Sequence, residues 1–465
     1  VQWHIPGLFI GSKKAERMVH RMQEIQKVTG KYQRHGVSIR EVLEGNLEGK
    51  DIRMNGVAHS IRPMGEMTFL ILRKAEGLVQ CVCEQSSLSI EGLKEESAVE
   101  LTGTVTAEAR APHGFELRLN ALRILSEPAE PMPLTINKWK MNTSLEAKMA
   151  YRPVSLRNPK ERAKFKIQEG IARAFRDYLQ QGGFTEIRTP KIVAKNAEGG
   201  ANIFKLDYFH KPAALAQSPQ FYKQTMVGVF DRVFEVAPVF RAEKHNTKRH
   251  LNEYTSMDLE MGYIESFQDI MEVETGFLQA MVHLLETEYE KELKLLEVKL
   301  PKVEEIPCVT FAEAKRLVSE AYDRVIRNPY DLEPEEEQLI GRYFQERYDA
   351  DFVFVTHYPS RKRPFYAMDD PADTSVTLSF DLLFRGLEIT TGGQRIHELS
   401  MLQEKLTARG IQEEGLESYL MIFRHGMPPH GGLGIGLERL TMQLLAEENV
   451  RETTLFPRDL SRLEP

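Results

Sequence analysis

A chain of 465 residues is longer than one ordinary hydrophobic core organises, so two domains, or a large one with an appendage, are expected. Its 42% hydrophobic and 28% charged residues are those of a soluble globular protein. A net charge of −7 with both signs abundant excludes any argument for a nucleic-acid or membrane partner from composition alone, and local clusters have to carry it.

No apolar run reaches the ~20 residues that span a bilayer, so no membrane partner is expected. The opening VQWHIPGLFIG lacks the basic lead and cleavage pattern of a signal peptide. Cys81, Cys83 and Cys308 form no metal-ligand spacing. The first two fall in an alternating apolar run, so the reading is buried free thiols and a reducing cytoplasm.

Residues 1–36 form a basic extension. SKKAERMVHRMQEIQKV has Met18, Met22, Ile25 and Val28 at helical spacing and many lysines and arginines. It reads either as a solvated helix on its own domain or as an RNA contact. From 37 to 128 short alternating runs follow: DIRMNGVAHSI, MTFLILR, GLVQCVCE, SAVELTGTVTAEA and FELRLNALRIL. Five such strands between glycine and proline punctuation suit a small barrel of the OB type. The proline-rich EPAEPMPLTI cannot continue a sheet, and 129–160 reads as a hinge or linker. PKERAKFKIQEGIARAFRDYLQQGGF is helical, with Phe165, Ile167, Ile171, Phe175 and Leu179 as its apolar stripe and Gly182 and Gly183 ending it. Strands DRVFEVAPVFRAE, TSMDLEMGYI, DFVFVTHY and SFDLLFRGLEITTGG then mix irregularly with helices at 266–295 and 334–348. That order predicts an antiparallel sheet flanked by helices over 161–465, an α+β class. The last helix starts from Gly436, after the glycines of HGGLGIGLERL.

Three segments resemble the signature motifs of class II aminoacyl-tRNA synthetases, specifically the archaeal-type aspartyl-tRNA synthetases. GGFTEIRTPKI resembles motif 1, with Pro190 at a dimer-forming strand; FRAEKHNTKRHLNEYTSMDLE resembles motif 2; GGLGIGLERL resembles motif 3. EGGANIF, LAQSPQFYKQ and FDLLFRGLEITTGGQRIH are similar to aspartate-site segments. The resemblance covers about residues 37–465.

It implies attack of the aspartate carboxylate on the α-phosphorus of ATP, then transfer of the aspartyl group to a tRNA hydroxyl. Arg241 would bridge α-phosphate and carboxylate with a guanidinium fork. Glu243 would accept from the adenine amino group and Tyr254 stack on the ring. Arg249, His250 and Leu251 would line the loop that meets ATP phosphates and the tRNA end. Gly436, Leu437, Glu438 and Arg439 would meet the γ-phosphate at the start of the last helix. Glu388 and Thr391, with Asp381 less clearly, resemble a Mg2+ site. Asp381 and Glu388 are seven apart, so a regular strand puts them on opposite faces, and only a bulge brings them together. For L-aspartate, Lys223 and Arg395 would compensate the side-chain carboxylate, while Glu198, Gln220 and Asp258 would hold the amino group. In the barrel, Phe69 would stack on an anticodon base and Gln80 and Glu116 bond base edges. His59 and Pro112 match the members that charge both tRNA(Asp) and tRNA(Asn), which implies a downstream Asp-tRNA(Asn) amidotransferase. A C2 homodimer is also implied. The alternatives are a strict aspartyl enzyme, an asparagine-forming paralogue and a non-enzymatic RNA-binding relative.

Overall fold

The computed structural model describes residues 30, 32, 35–194, 202–244 and 247–464. The basic helix expected within 1–36 and the candidate Glu198 lie outside them. The chain divides into two compact units, one up to Met132 and one from Pro133.

In the first unit a short helix α1 (Ile39–Glu44), closed by a Ser38 capping box, precedes five strands: β1 (Asp51–Met64), β2 (Met67–Lys74), β3 (Gly77–Glu84), β4 (Ala98–Ala107) and β5 (Phe115–Ser126). They close into a barrel in the order β1-β2-β3-β5-β4. Period-two alternation sends Leu70, Leu72, Val79, Cys81, Cys83, Leu101 and Leu117 into a dry interior. Both barrel cysteines are buried free thiols, whereas Cys308 is exposed. Burial pushes the Cys83 thiol above its ordinary value, which suits an inert core residue.

The second unit begins inside the segment that reads as a linker. Residues 133–160 include helices α2 (Leu145–Ala150) and α3 (Arg152–Ser155), and buried Arg152 donates to the carbonyls of Leu455 and Thr454. Only the stretch around Met132 is a boundary. Helix α4 (Pro159–Gln181) follows, capped by Asn158. Its Ile167, Ile171, Phe175 and Leu179 are fully buried. Phe165 leaves the predicted stripe, two residues from Ile167, and lies under the Arg152 guanidinium instead.

Strands β6 (Thr185–Glu186), β7 (Ile192–Ala194), β8 (Lys205–Tyr208) and β9 (Lys211–Leu215) precede α5 (Gln220–Phe230). Then come β10 (Arg232–Phe240), β11 (Glu253–Gly262), α6 (Gln268–Glu288), α7 (Glu290–Leu296), β12 (Cys308–Thr310), α8 (Phe311–Tyr322), α9 (Pro334–Tyr348) and β13 (Phe352–Thr356). The chain ends with β14 (Asp369–Asp370), β15 (Asp373–Thr377), β16 (Ser379–Phe384), β17 (Leu387–Arg395), α10 (Leu399–Ala408), α11 (Glu417–Arg424), β18 (His430–Gly436) and α12 (Leu437–Leu444). Eight strands form the main sheet, β12-β13-β16-β17-β18-β11-β10-β6, antiparallel except at its two edge pairs. The segment expected to carry Pro190 on a dimer strand contributes only two-residue β6 to this sheet, and Pro190 itself lies in no strand.

One sheet face packs on α4 and α6: Met257, Leu259, Phe380, Leu382, Leu433 and Ile435 meet Ile171, Phe175, Phe277 and Leu278. Beneath this layer the Glu274 carboxyl of α6 is buried, accepting from Thr390 Oγ1 through one oxygen and, among the described residues, from nothing through the other. Burial pushes it up to about 8. The alternate residues of β11, β16 and β18 project from the opposite face, and that face carries the site.

Candidate active site

The charged stretch from 240 to 261 is a hairpin. Strands β10 and β11 run in register from Arg232 opposite Met261 to Phe240 opposite Glu253. The loop between them is zipped at its base, where Asn252 donates its side-chain amide to the carbonyls of Arg241 and Glu243. Period-two geometry puts Met257, Leu259 and Met261 into the core and Ser256, Asp258 and Glu260 on the site face.

SFDLLFRGLEITTGG is not one strand. It is the hairpin β16–β17, turned at Arg385 and Gly386, both with positive φ, as a two-residue hairpin loop requires. Asp381 therefore stands opposite Thr391, and the register slips so that Ile389 is the extra residue. That bulge puts Glu388 and Thr391 on one face despite their odd spacing. Thr391 Oγ1 donates to Glu388 Oε1 at 3.2 Å. The bulge that the spacing of Asp381 and Glu388 demanded is present: it sets Asp381 opposite Thr391, and Glu388 and Thr391 line the cleft while Asp381 is buried and does not. Asp381 is also buried against Arg363, 2.8 Å away, yet its Oδ1 has no aligned donor. Burial pushes its carboxyl up to about 6 against the pull of that arginine.

A single cleft is lined by Gln220, Lys223, Arg241, Glu243, Arg249, His250, Leu251, Tyr254, Asp258, Glu388, Thr391, Arg395, Gly436, Glu438 and Arg439. The sequence singled out each of these. Leu437 does not line it; its side chain belongs to the apolar core on the sheet's other face, and Gly436 as the N-cap of α12 turns the chain there. Glu438 accepts from Thr255 N with both carboxylate oxygens, which ties α12 to β11. Burial pushes this carboxyl up to about 7.

One end of the cleft holds a buried charge set. Lys223 Nζ lies 2.9 Å from Asp258 Oδ1 and donates to Leu433 O at 2.8 Å. Arg395 Nε donates to Glu260 Oε1 at 3.0 Å and its Nη2 to Gly432 O at 2.9 Å. Glu260 is also 3.4 Å from Lys223. Burial opposes its ionisation, but Arg395 and Lys223 hold it below the usual carboxylate range. The Gln220 side-chain nitrogen, buried, has no hydrogen-bond partner among the described residues. A donor left open beside two cations that line the cleft suits a carboxylate-bearing ligand.

At the other end, the Arg241 guanidinium sits over the Tyr254 ring at 5.7 Å and 3.8 Å from Glu243. Arg439 donates to the carbonyls of Arg249 and Glu388. Arg249 donates to buried Glu337 of α9 at 2.8 Å, and Glu337 accepts from Glu388 N. Burial raises the Glu337 carboxyl to about 7.

Sequence reading missed Glu260, Ser256, Arg363 and Glu337. Glu260 had a signal, since it continues the period of Ser256 and Asp258. Arg363 and Glu337 had none, because they arrive from segments distant in the chain. The glycines of β18 were under-read. A side chain at Gly432 would run into Glu260 Oε2 and Leu259 O, and one at Gly434 would press on Asp258 Oδ1.

Glu388 and Thr391 offer hard oxygen donors on the cleft wall and fit Mg2+, whereas Asp381 Oδ1 faces Arg363 at 2.8 Å and would join them only by leaving that arginine. Among the described residues no cluster of three or more His, Cys, Asp or Glu side chains stands ready for an ion.

On the barrel, Gln80 is the register partner of both Ile71 and Glu116, and Phe69 is that of Val82. Phe69, Gln80 and Glu116 therefore share the outward face, where Glu116 is itself buried and accepts from Gln80 Nε2 at 3.0 Å. Pro112 is exposed at the start of a short 3-10 turn. His59 differs from expectation: it is the extra residue of a bulge in β1, and its ring is buried, Nδ1 lying 2.9 Å from Arg73 Nη1. Arg73 in turn is paired bidentately with buried Glu96. The His59 ring is thus a contact of that ion pair rather than a surface that a base meets.

No helix among the described residues is long and apolar enough to cross a membrane. Residues 144–460 match the family described as tRNA synthetases class II (D, K and N), and residues 52–125 match the OB-fold nucleic acid binding domain. The chain is 47% identical over 424 residues to an aspartate–tRNA(Asp/Asn) ligase of Deinococcus radiodurans, covering 90% of this chain and 96% of that one. It is 46% identical over 418 residues to an enzyme of the same name from Thermus thermophilus, covering 90% and 97%. Its fold superimposes with a TM-score of 0.85, at 31% identity, on the asparaginyl-tRNA synthetase of Pyrococcus horikoshii complexed with asparaginyl-adenylate, covering 93% of this chain and all of that one. Motif segments, site geometry and extended identity agree: the chain belongs to the class II tRNA synthetases of the D, K and N group.

Proposed function

We propose that this protein activates L-aspartate with ATP and transfers the aspartyl group to both tRNA(Asp) and tRNA(Asn). The observation that carries the reading is the convergence of Lys223 and Arg395 on buried Glu260 at one end of the cleft, with the Arg241–Tyr254 pair further along it. Two cations in an otherwise closed charge set suit an acidic side chain better than an amide. Charging of both tRNAs is supported by the names of the Deinococcus radiodurans and Thermus thermophilus relatives; buried His59 is not part of that support.

In this reading Lys223 and Arg395 receive the side-chain carboxylate, and Gln220, Asp258 and Glu198 orient the amino group. The Arg241 fork aligns the reacting carboxylate with the α-phosphate. A carboxylate oxygen then bonds to the α-phosphorus while the bond to pyrophosphate breaks, giving aspartyl-adenylate. Alignment and charge neutralisation supply most of such catalysis. Arg249, His250 and Arg439 neutralise the phosphates, Tyr254 and Glu243 seat the adenine, and Leu251 closes the wall. Mg2+ held by Glu388 and Thr391 would offset phosphate charge. A tRNA hydroxyl next attacks the aspartyl carbonyl, and AMP leaves. The barrel face of Phe69, Gln80 and Glu116, with Pro112 nearby in sequence to Glu116, reads anticodon bases. We further propose a homodimer, a cytoplasmic location consistent with free thiols, and a downstream amidotransferase acting on Asp-tRNA(Asn).

The test is aspartylation of purified tRNA(Asp) and tRNA(Asn) at matched concentration, salt and magnesium. Comparable kcat/KM supports the relaxed reading. A preference of about a hundredfold for tRNA(Asp), ~2.7 kcal/mol, means a strict enzyme.

A further inference from the structure

Three buried polar side chains beside the charge set form a relay with no part in the reaction above. Gln224 follows Lys223 on α5 and is fully buried. Its Oε1 accepts from the Tyr419 hydroxyl at 3.1 Å, and its Nε2 lies 2.9 Å from His430 Nε2. His430 Nδ1 lies 2.9 Å from Pro428 O. A carbonyl oxygen only accepts, so Nδ1 carries the proton and Nε2 is the acceptor. Gln224 then donates to the ring, leaving its oxygen for Tyr419, and every bond is satisfied with the imidazole uncharged. Burial also lowers His430 to about 4, with Glu260 pulling the other way.

The relay joins the elements that carry the two cations. His430 is the cross-strand partner of Arg395. Tyr419, on α11, stacks on Phe221 of α5 with ring centroids 4.1 Å apart. Gln220 lies one turn before both Lys223 and Gln224 on α5, and Lys223 and Gln224 are adjacent and both buried, so what fixes Gln224 constrains the piece of helix that carries Lys223.

We propose that Gln224 is a positioning residue for side-chain selection: by bonding His430 and Tyr419 at once it sets Lys223 on α5 against Arg395 on β17, whose cross-strand neighbour is the uncharged His430 ring. A carboxylate is told from an amide by where two donors stand, because the amide presents one donor group that then faces a cation unpaired. The proposal rests on reading the cleft as an aspartate site.

The test is ATP–pyrophosphate exchange with L-aspartate and with L-asparagine, on the full chain and its Gln224→Met and Tyr419→Phe variants. Methionine keeps the length of the side chain and removes both bonds; phenylalanine keeps the stacked ring and removes one. The aspartate KM should rise about fivefold or more in Gln224→Met, the order expected for buried groups left unpaired. The ATP KM should be unchanged, and the aspartate-to-asparagine kcat/KM ratio should narrow, less so in Tyr419→Phe. Folded variants with an unmoved ratio and aspartate KM would overturn the relay's role. Should Gln224→Met fail to fold, Tyr419→Phe decides alone. Absence of aspartate-dependent exchange in the unaltered protein would overturn the aspartate reading and this proposal together, whereas normal exchange with unmoved variants overturns this proposal only.

Discussion

At the residue scale, the cations of the cleft are the most exposed to a decisive substitution. Lys223 and Arg395 are nearly fully buried and share Glu260, so truncating either removes one of its two cations and the partner proposed for the substrate carboxylate, a loss of about 2–5 kcal/mol in binding. Lys223→Ala and Arg395→Ala should abolish aspartate-dependent pyrophosphate exchange while ATP binding, measured by calorimetry, persists. Loss of both together would contradict the assignment. Glu274 makes a different prediction. Its folded carboxyl titrates near 8 against an ordinary 4.5, so between those values the folded state keeps a proton that the unfolded chain has released. Stability then falls as pH rises through that window, by at most about 1.4 kcal/mol per pH unit. Glu274→Gln should flatten the fall: its Tm should gain on the parent at pH 8 and not at pH 5. Parallel Tm curves would show that the group titrates normally. Residues such as Lys223 and Arg241 were legible because each lies inside a contiguous motif. Glu337 and Arg363 were not, since a partner some 88 or 18 positions away in sequence leaves no local pattern.

At the element scale, alternation and punctuation carried far. The five barrel runs, the α4 stripe and the β10–β11 hairpin follow from period-two and helical spacing. What failed was the distinction between one long strand and a tight hairpin, because the Arg385–Gly386 turn is only two residues and both flanks are apolar. The helix expected at 266–295 is two helices broken at Tyr289, a kink that no proline or glycine announces. The glycines of β18 show how a strand's neighbours select its residues. Gly432 leaves room for Glu260 and the Leu259 carbonyl, within 2.2 Å of where a Cβ would stand. Gly432→Ala has to push β18 from β11, an overpacking cost of about 1–3 kcal/mol. The expected result is a lower Tm together with a raised aspartate KM; a normal KM would mean that Glu260 moves aside freely.

At the scale of the whole molecule, two units have separate apolar cores, and the proposed function gives chemistry to one and RNA reading to the other. Phe69→Ala should therefore raise the tRNA KM by the loss of one stacked base, about 1–3 kcal/mol. Tm and pyrophosphate exchange without tRNA should not move. A fall in exchange would mean that the barrel does more than read RNA.

The barrel's two sealed cysteines provide an internal clock for its opening. A thiol reagent in the native state meets Cys308, while Cys81 and Cys83 react only when the strands around them part. The second and third equivalents of label would thus time the opening of the RNA-reading unit while adenylate chemistry is followed independently in the same tube. If opening limits labelling, tRNA should slow these slow equivalents and leave the fast one alone, because a ligand of the closed barrel withdraws population from the open state. Uniform labelling of all three would mean that the barrel breathes faster than the reagent can report.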